Sequence, residues 1–212
     1  MRCAPSPDSP PAVAQACAWS AALVTRRHGF SLAELTVALA VASVLLALAA
    51  PDLRALVRNQ QIRSASGDLF AALGMARSQA LARGQVVKLL PRDAAGADWR
   101  RGWHVFIDRD GDGVPGEADE FLAEHGPLPA GVAVAFAFTS AAPPYYIAYN
   151  GAGRSCSDAN SAAARYGTLS LFHGDAIRRI KINMLGRARS CDPARDASCD
   201  GAGSPPPQPP DG

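Results

Sequence analysis

Hydrophobic positions fall into three regimes along the chain. Over 30–50 nearly every residue is apolar, and Glu34 is the one charge in the run. A helix of about 20 apolar residues crosses the roughly 30 Å hydrocarbon core of a bilayer, so the run predicts a membrane-crossing helix. Arg26 and Arg27 stand just before it and hold that end on the cytoplasmic side, which sends everything after Pro51 across the membrane. Beyond Pro51 the pattern becomes amphipathic. Leu53, Leu56, Val57, Ala65, Leu69, Leu73, Ala76 and Ala80 recur at three- and four-residue steps, with Arg54, Arg58, Arg63, Asp68 and Arg77 between them. The spacing predicts that the helix continues over 51–84. Pro51 removes one backbone hydrogen bond and predicts a kink, and Gly84 stops the helix.

From Gln85 the pattern changes again, to short runs rich in Val, Ile, Phe and Tyr. They predict strands at 85–90, 103–108, 120–123, 132–138, 145–149, 168–172 and 176–184, separated by Gly, Pro and Asp clusters. His173-Gly174-Asp175-Ala176 reads as a tight hairpin turn. Short strands with short links imply an antiparallel sheet, and the helix stripe needs a sheet to cover it. The predicted class is α+β: a long N-terminal helix, its first half transmembrane, packed on an antiparallel β-sheet head of one or two sheets.

Composition changes this picture in a few places. The chain has 212 residues, so the part after the apolar helix is long enough for one domain with its own core. Residues 1–25 are rich in Pro and Ala and read as a leader outside the fold. The stretch 192–212 contains Gly-Ser-Pro-Pro-Pro-Gln-Pro-Pro and reads as a disordered tail. The net charge of +2 excludes a global basic field, so any nucleic-acid site must be a local patch. Cys3 and Cys17 fall in the leader, which leaves Cys156, Cys191 and Cys199. On the far side of the membrane these predict one disulfide and one spare thiol. Cys191–Cys199 closes a short loop and is preferred; a bridge through Cys156 is the alternative. Zinc is the weaker reading, because there is no CxxC pair and His125 and His173 lack matching spacing. No hydrolase, nucleotide or dinucleotide fingerprint occurs, and His28, His104, His125 and His173 stand apart, so no enzyme activity is predicted.

Two constellations could carry chemistry. Asp108, Asp110 and Asp112, followed by Gly113, match the opening of a calcium loop, with hard oxygens on alternate residues and a glycine at the turn. Asp119 holds the twelfth place, where a bidentate Glu is expected, and the flanks read as strands. An acidic hairpin loop without an ion is therefore the competing reading, and no other cofactor is implied. The second constellation is basic. Arg179 and Lys181 lie two apart on the last strand and share a face, while Arg178, Ile180 and Ile182 take the other. Arg187 and Arg189 project together after Gly186, which lets the backbone turn sharply. Paired guanidinium groups at this spacing can grip successive phosphates, with Arg154 and Arg165 as further candidates. No aromatic side chain interleaves the patch, so sequence-independent and salt-sensitive binding is expected rather than base stacking.

Gly29-Phe30-Ser31-Leu32-Ala33-Glu34, behind a basic leader and ahead of the apolar run, resembles the processing site of type IV pilins and pseudopilins. That resemblance implies cleavage after Gly29 by a prepilin peptidase and methylation of the new terminus, Phe30. It also implies pairing of Glu34 with the terminal amine of a neighbouring subunit. A carboxylate in an apolar helix needs a cation, and cleavage creates one. The segments RRGWHVFIDRDGDGVPGEADEFL and LGRARS most resemble the GspH/FimT group of minor pilins and pseudopilins. The likeness covers most of 30–191 and divides the chain into a leader (1–29), a membrane helix (30–50), an amphipathic spine (51–84), a β-rich head (85–191) and a tail (192–212). GRxR resembles the motif by which FimT-type minor pilins bind DNA during natural transformation, and it maps onto Gly186, Arg187 and Arg189. The resemblance thus implies an inner-membrane protein with a periplasmic head that joins a pilus. Its partners would be the peptidase, other major and minor pilins through the N-terminal helix, and DNA. A structural pseudopilin of a type II secretion system, or an assembly-priming minor pilin without ligand, is the first alternative. A membrane-tethered calcium-binding domain is the second.

Overall fold

The computed structural model describes residues 31–140 and 142–206, leaving aside the side chains of 48–52. The leader, Gly29, Phe30 and the end of the tail lie outside the described residues. The chain divides into two units, residues 1–47 and 48–212.

In the first unit the described residues are helical from Leu32. Ser31 caps this start, its Oγ accepting from the Glu34 amide at 3.4 Å and its carbonyl from the Leu35 amide at 3.0 Å. The hydroxyls of Thr36 and Ser43 fold back onto the carbonyls of Ala33 and Ala40, both at 2.8 Å. Hydroxyls bonded in this way present little polarity to an apolar surrounding. Among the described residues no helix is long and apolar enough to cross a membrane. The expected span of 30–50 includes Phe30 and side chains from 48 onward, which are outside them.

Helix α1 is Leu32–Arg83. It runs through Pro51 as one helix and ends at Gly84, whose φ of 64° is the left-handed conformation that terminates helices. Within the second unit its buried stripe is Ile62, Ala65, Leu69, Leu73, Ala76 and Ala80, all at most 2% exposed. Steps of three and four keep these on one face. Leu53, Leu56 and Val57 share that periodicity yet are exposed, because the covered stripe begins only at Ile62.

Among the described residues nine strands follow: β1 (Val87–Pro91), β2 (Trp103–Ile107), β3 (Glu120–His125), β4 (Ala133–Phe138), β5 (Ile147–Tyr149), β6 (Ser155–Cys156), β7 (Gly167–His173), β8 (Ala176–Ile182) and β9 (Ala188–Cys191). They form two antiparallel sheets, ordered β3-β2-β1-β5-β6 and β4-β7-β8-β9. Val87, Leu89, Val105, Ile107, Ile147 and Tyr149 from the first sheet and Leu169, Leu171, Ile180 and Ile182 from the second meet the helix stripe in one core. The fold is therefore α+β, with the N-terminal helix packed on two sheets. The strand predicted over 176–184 stops at Ile182. Residues 183–186 turn instead, with Asn183 Oδ1 accepting from the amides of Leu185 at 3.1 Å and Arg187 at 2.9 Å. The chain then returns as β9.

The first sheet carries a smaller cluster on its other face: Leu90, Phe106, Tyr146, Ala148 and Cys156. Lys88 lies here, only 1% exposed. Its ammonium donates to Asp108 at 3.1 Å and Asp158 at 2.7 Å, 5.6 Å from the ring centroids of both Phe106 and Tyr146. Cys156 is a free, buried thiol. Burial, helped by the Asp158 charge, pushes it up to about 11. Cys191 and Cys199 are joined by a disulfide with Cα atoms 5.8 Å apart.

Candidate functional site

The GRxR turn is seated on a second glycine turn. Gly186 has φ 74°, and a Cβ there would run into the Gly153 carbonyl while approaching Ser155 N to 2.9 Å and Arg154 Cα to 3.1 Å. Only glycine fits such a backbone contact. Arg77, from α1, donates through Nε to the same Gly153 carbonyl at 2.8 Å and fixes that turn from below. The packing brings Arg187 next to Arg154. Both are exposed, and among the described residues neither guanidinium has a partner.

The other basic residues are engaged. Arg189 pairs with Asp196 at 3.1 Å and also donates to Ser198 O at 3.3 Å and Ser198 Oγ at 3.2 Å. Lys181 pairs with Asp200 and donates to Ser198 O at 3.3 Å. Arg179 is only 6% exposed, donating to the carbonyls of Cys199 and Ala202, the latter at 2.7 Å. The Ser198 hydroxyl and amide, with Arg189 and Lys181, hold the Asp196 carboxyl below its usual range. The Lys181 ammonium does the same for Asp200. Through Ala202 the segment after β9 is tied to the second sheet by a disulfide, ion pairs and carbonyl contacts. Arg165 does not join the patch. It is buried, with its guanidinium 3.9 Å from the Tyr146 ring centroid.

The acidic loop gathers Asp108, Asp110, Asp112 and Asp119, whose oxygens lie within 4.8 Å of one another. Hard oxygens of this kind suit a calcium ion. Here they accept amides of their own loop. Asp108 takes Gly111 at 2.8 Å and Gly113 at 3.0 Å, Asp112 takes Val114 at 2.8 Å, and Asp119 takes Arg109 at 2.9 Å and Gly116 at 2.8 Å. Lys88 already supplies a cation to Asp108, and Glu120 pairs with Arg83 and Arg109.

Residues 65–186 match the family model described as Type II transport protein GspH. The chain belongs to the GspH family. Residues 24–50 match the Prokaryotic N-terminal methylation motif, which contains Gly29, Phe30 and Glu34 and implies processing by a prepilin peptidase, membrane anchoring and assembly with other pilins. Together these make this GspH-family chain a minor pilin or pseudopilin of a type IV pilus or type II secretion system. Among solved structures it is similar to the type IV minor pilin FimU of Pseudomonas aeruginosa, at 19% identity and a TM-score of 0.46, covering 63% of this chain and 90% of that one. It is also similar to the minor pseudopilin EpsH from the Type 2 Secretion System of Vibrio cholerae, at 15% identity and a TM-score of 0.44, covering 62% and 96%. No curated protein sequence matches it.

Proposed function

We propose that this protein is a minor type IV pilin that binds DNA without sequence preference during natural transformation. The prepilin is inserted in the inner membrane through 30–50 with its head in the periplasm. It is cleaved after Gly29, methylated at Phe30, and assembled into a pilus with Glu34 against a neighbour's terminal amine. Mass spectrometry of the assembled protein is expected to find methylated Phe30 as the first residue; a mature chain starting upstream would remove this reading.

The observation that carries the DNA proposal is the contact of Gly186 with the Gly153 turn, which brings the backbone of Arg154 against the GRxR turn, with Arg154 and Arg187 both exposed and without a partner among the described residues. Such a pair grips adjacent phosphates. The test uses the full chain in detergent micelles and a fluorescent duplex, followed by anisotropy across a salt series. Arg154→Ala/Arg187→Ala is expected to bind about tenfold more weakly, with a salt slope shallower by about two, one for each lost phosphate contact. Equal binding and equal slope in wild type and variant would refute the assignment.

One observation favours a second reading, a structural subunit of a type II secretion system. Segment 192–206 neutralises Lys181 and Arg189 within the molecule. On that reading the full chain binds DNA no better than its double variant.

A further inference from the structure

Segment 192–206 follows a defined course over the outer face of the β4-β7-β8-β9 sheet, the face opposite Ile180 and Ile182. It leaves β9 at Cys191 and is tied back through Cys199. Asp196 meets Arg189 on β9. Cys199 and Asp200 meet Arg179 and Lys181 on β8. Gly201 passes over β7, where a Cβ would come within 3.1 Å of Ser170 Oγ and 2.9 Å of the Arg179 side chain. Pro206 reaches the groove that Phe136 of β4 forms with Trp99 and Tyr145.

The chemistry under this strap is ill matched to a purely structural cover. Arg179 is buried but bonds only neutral carbonyls, and its Nε has no acceptor among the described residues. A desolvated guanidinium with an unmet donor is a cost to the fold, and an anionic oxygen would satisfy it better. What the strap offers the three cations is a row of oxygens: the carboxylates of Asp196 and Asp200, the Ser198 hydroxyl, and the carbonyls of Ser198, Cys199 and Ala202. A phosphate backbone would present the same kind of row.

We infer that the strap is an internal stand-in for a polyanion, occupying a second nucleic-acid surface made of Arg179, Lys181 and Arg189. This rests on the DNA-binding reading above. Nucleic acid seated on Arg187 and Arg154 competes with the strap for the adjoining cations, and displacement extends the patch across β8 and β9. The more exposed ion pairs at Asp196 and Asp200 are individually weak, which makes displacement there feasible, while Arg178–Asp192 at 2.9 Å, with both side chains largely buried, holds the start of the strap in place. The disulfide keeps the displaced strap tethered and at high effective concentration, so the cover re-forms when nucleic acid leaves.

The test compares wild type, Asp196→Asn/Asp200→Asn and Glu117→Gln/Asp175→Asn, as full chains in detergent, by duplex anisotropy against salt. The last variant removes the same charge from two exposed loop positions outside the strap. The strap variant is expected to bind about tenfold more tightly, with a salt slope steeper by about two, as Lys181 and Arg189 come free for phosphate. The loop variant is expected to stay within about twofold of wild type, and adding Lys181→Ala to the strap variant is expected to erase much of the gain. The inference is overturned if wild type binds through Arg154 and Arg187 while the strap variant shows neither tighter binding nor a steeper slope. It is overturned also if the loop variant gains as much as the strap variant, which would mark a general charge effect. If neither wild type nor the strap variant binds DNA, both this inference and the DNA-binding reading fall.

Discussion

Lys88→Met is expected to destabilise the head by about 3 kcal/mol at neutral pH, lowering its melting temperature by about 10 °C. Methionine replaces the four-carbon stem with a side chain of similar length, so packing against Phe106 and Tyr146 is largely kept. What disappears is the ammonium between Asp108 and Asp158. The Asp108 side chain is 10% exposed, and that of Asp158 is 35%. Removing one partner leaves the Asp108 charge inside the protein, and breaking a buried pair costs about 3–5 kcal/mol. The lower end applies, because the amides of Gly111 and Gly113 still serve the carboxylate. The effect depends on pH. Burial by itself raises the Asp108 carboxyl, but Lys88 and those two amides outweigh it and hold the carboxyl below its ordinary value. A depressed carboxyl contributes stability that is fully present above its unfolded pKa and is lost as pH falls through the folded one. The wild-type advantage should therefore be full at pH 6–7 and shrink below about pH 4. Thermal unfolding of both proteins from pH 2 to 7 checks this. A cost under about 1 kcal/mol at pH 7 would show that the triad is not the support it looks like.

The second large effect is expected at Gly186. Alanine there must adopt a φ of 74° and drive its Cβ into the backbone of the Gly153 turn. The left-handed conformation costs about 1–2 kcal/mol, and an overlap with backbone, which cannot swing aside, adds about 1–3 kcal/mol. The loss should total about 2–5 kcal/mol. The variant should also bind DNA about as weakly as Arg154→Ala/Arg187→Ala at temperatures where it remains folded, because a turn pushed off Gly153 moves the GRxR backbone away from that of Arg154. Melting curves and anisotropy on the same preparation test both parts. Full DNA affinity in a destabilised variant would show that the contact matters for folding alone.

Much of this protein was legible before any coordinates. The helix stripe from Ala65 to Ala80 follows from apolar residues at steps of three and four, and the major strands follow from β-branched and aromatic runs between Gly, Pro and Asp clusters. Two strands were missed for a physical reason. In β9, Ala-Arg-Ser-Cys puts an arginine and a cysteine on the covered outer face and shows no apolar alternation. In β6 two residues are too few to carry a period. The prolines and glycines of the tail describe an extended chain, and composition says nothing of the arginines and lysine that Asp196, Cys199, Asp200 and Ala202 meet.

Sequence alone determined the α+β class, the processing motif around Gly29 and Glu34, and the membership that 24–50 and 65–186 establish, because these are written in local order and short spacing. The tertiary structure decided which charges are open. Arg187 and Arg154 stand clear, Arg179 is buried under 192–206, Lys181 and Arg189 are paired with its carboxylates, and Lys88 is buried between carboxylates 20 and 70 residues away. A charged side chain reads the same in sequence whether it meets water, a carbonyl or a carboxylate. Its partner is chosen by strand pairing and chain return, which bring together residues that no local pattern connects.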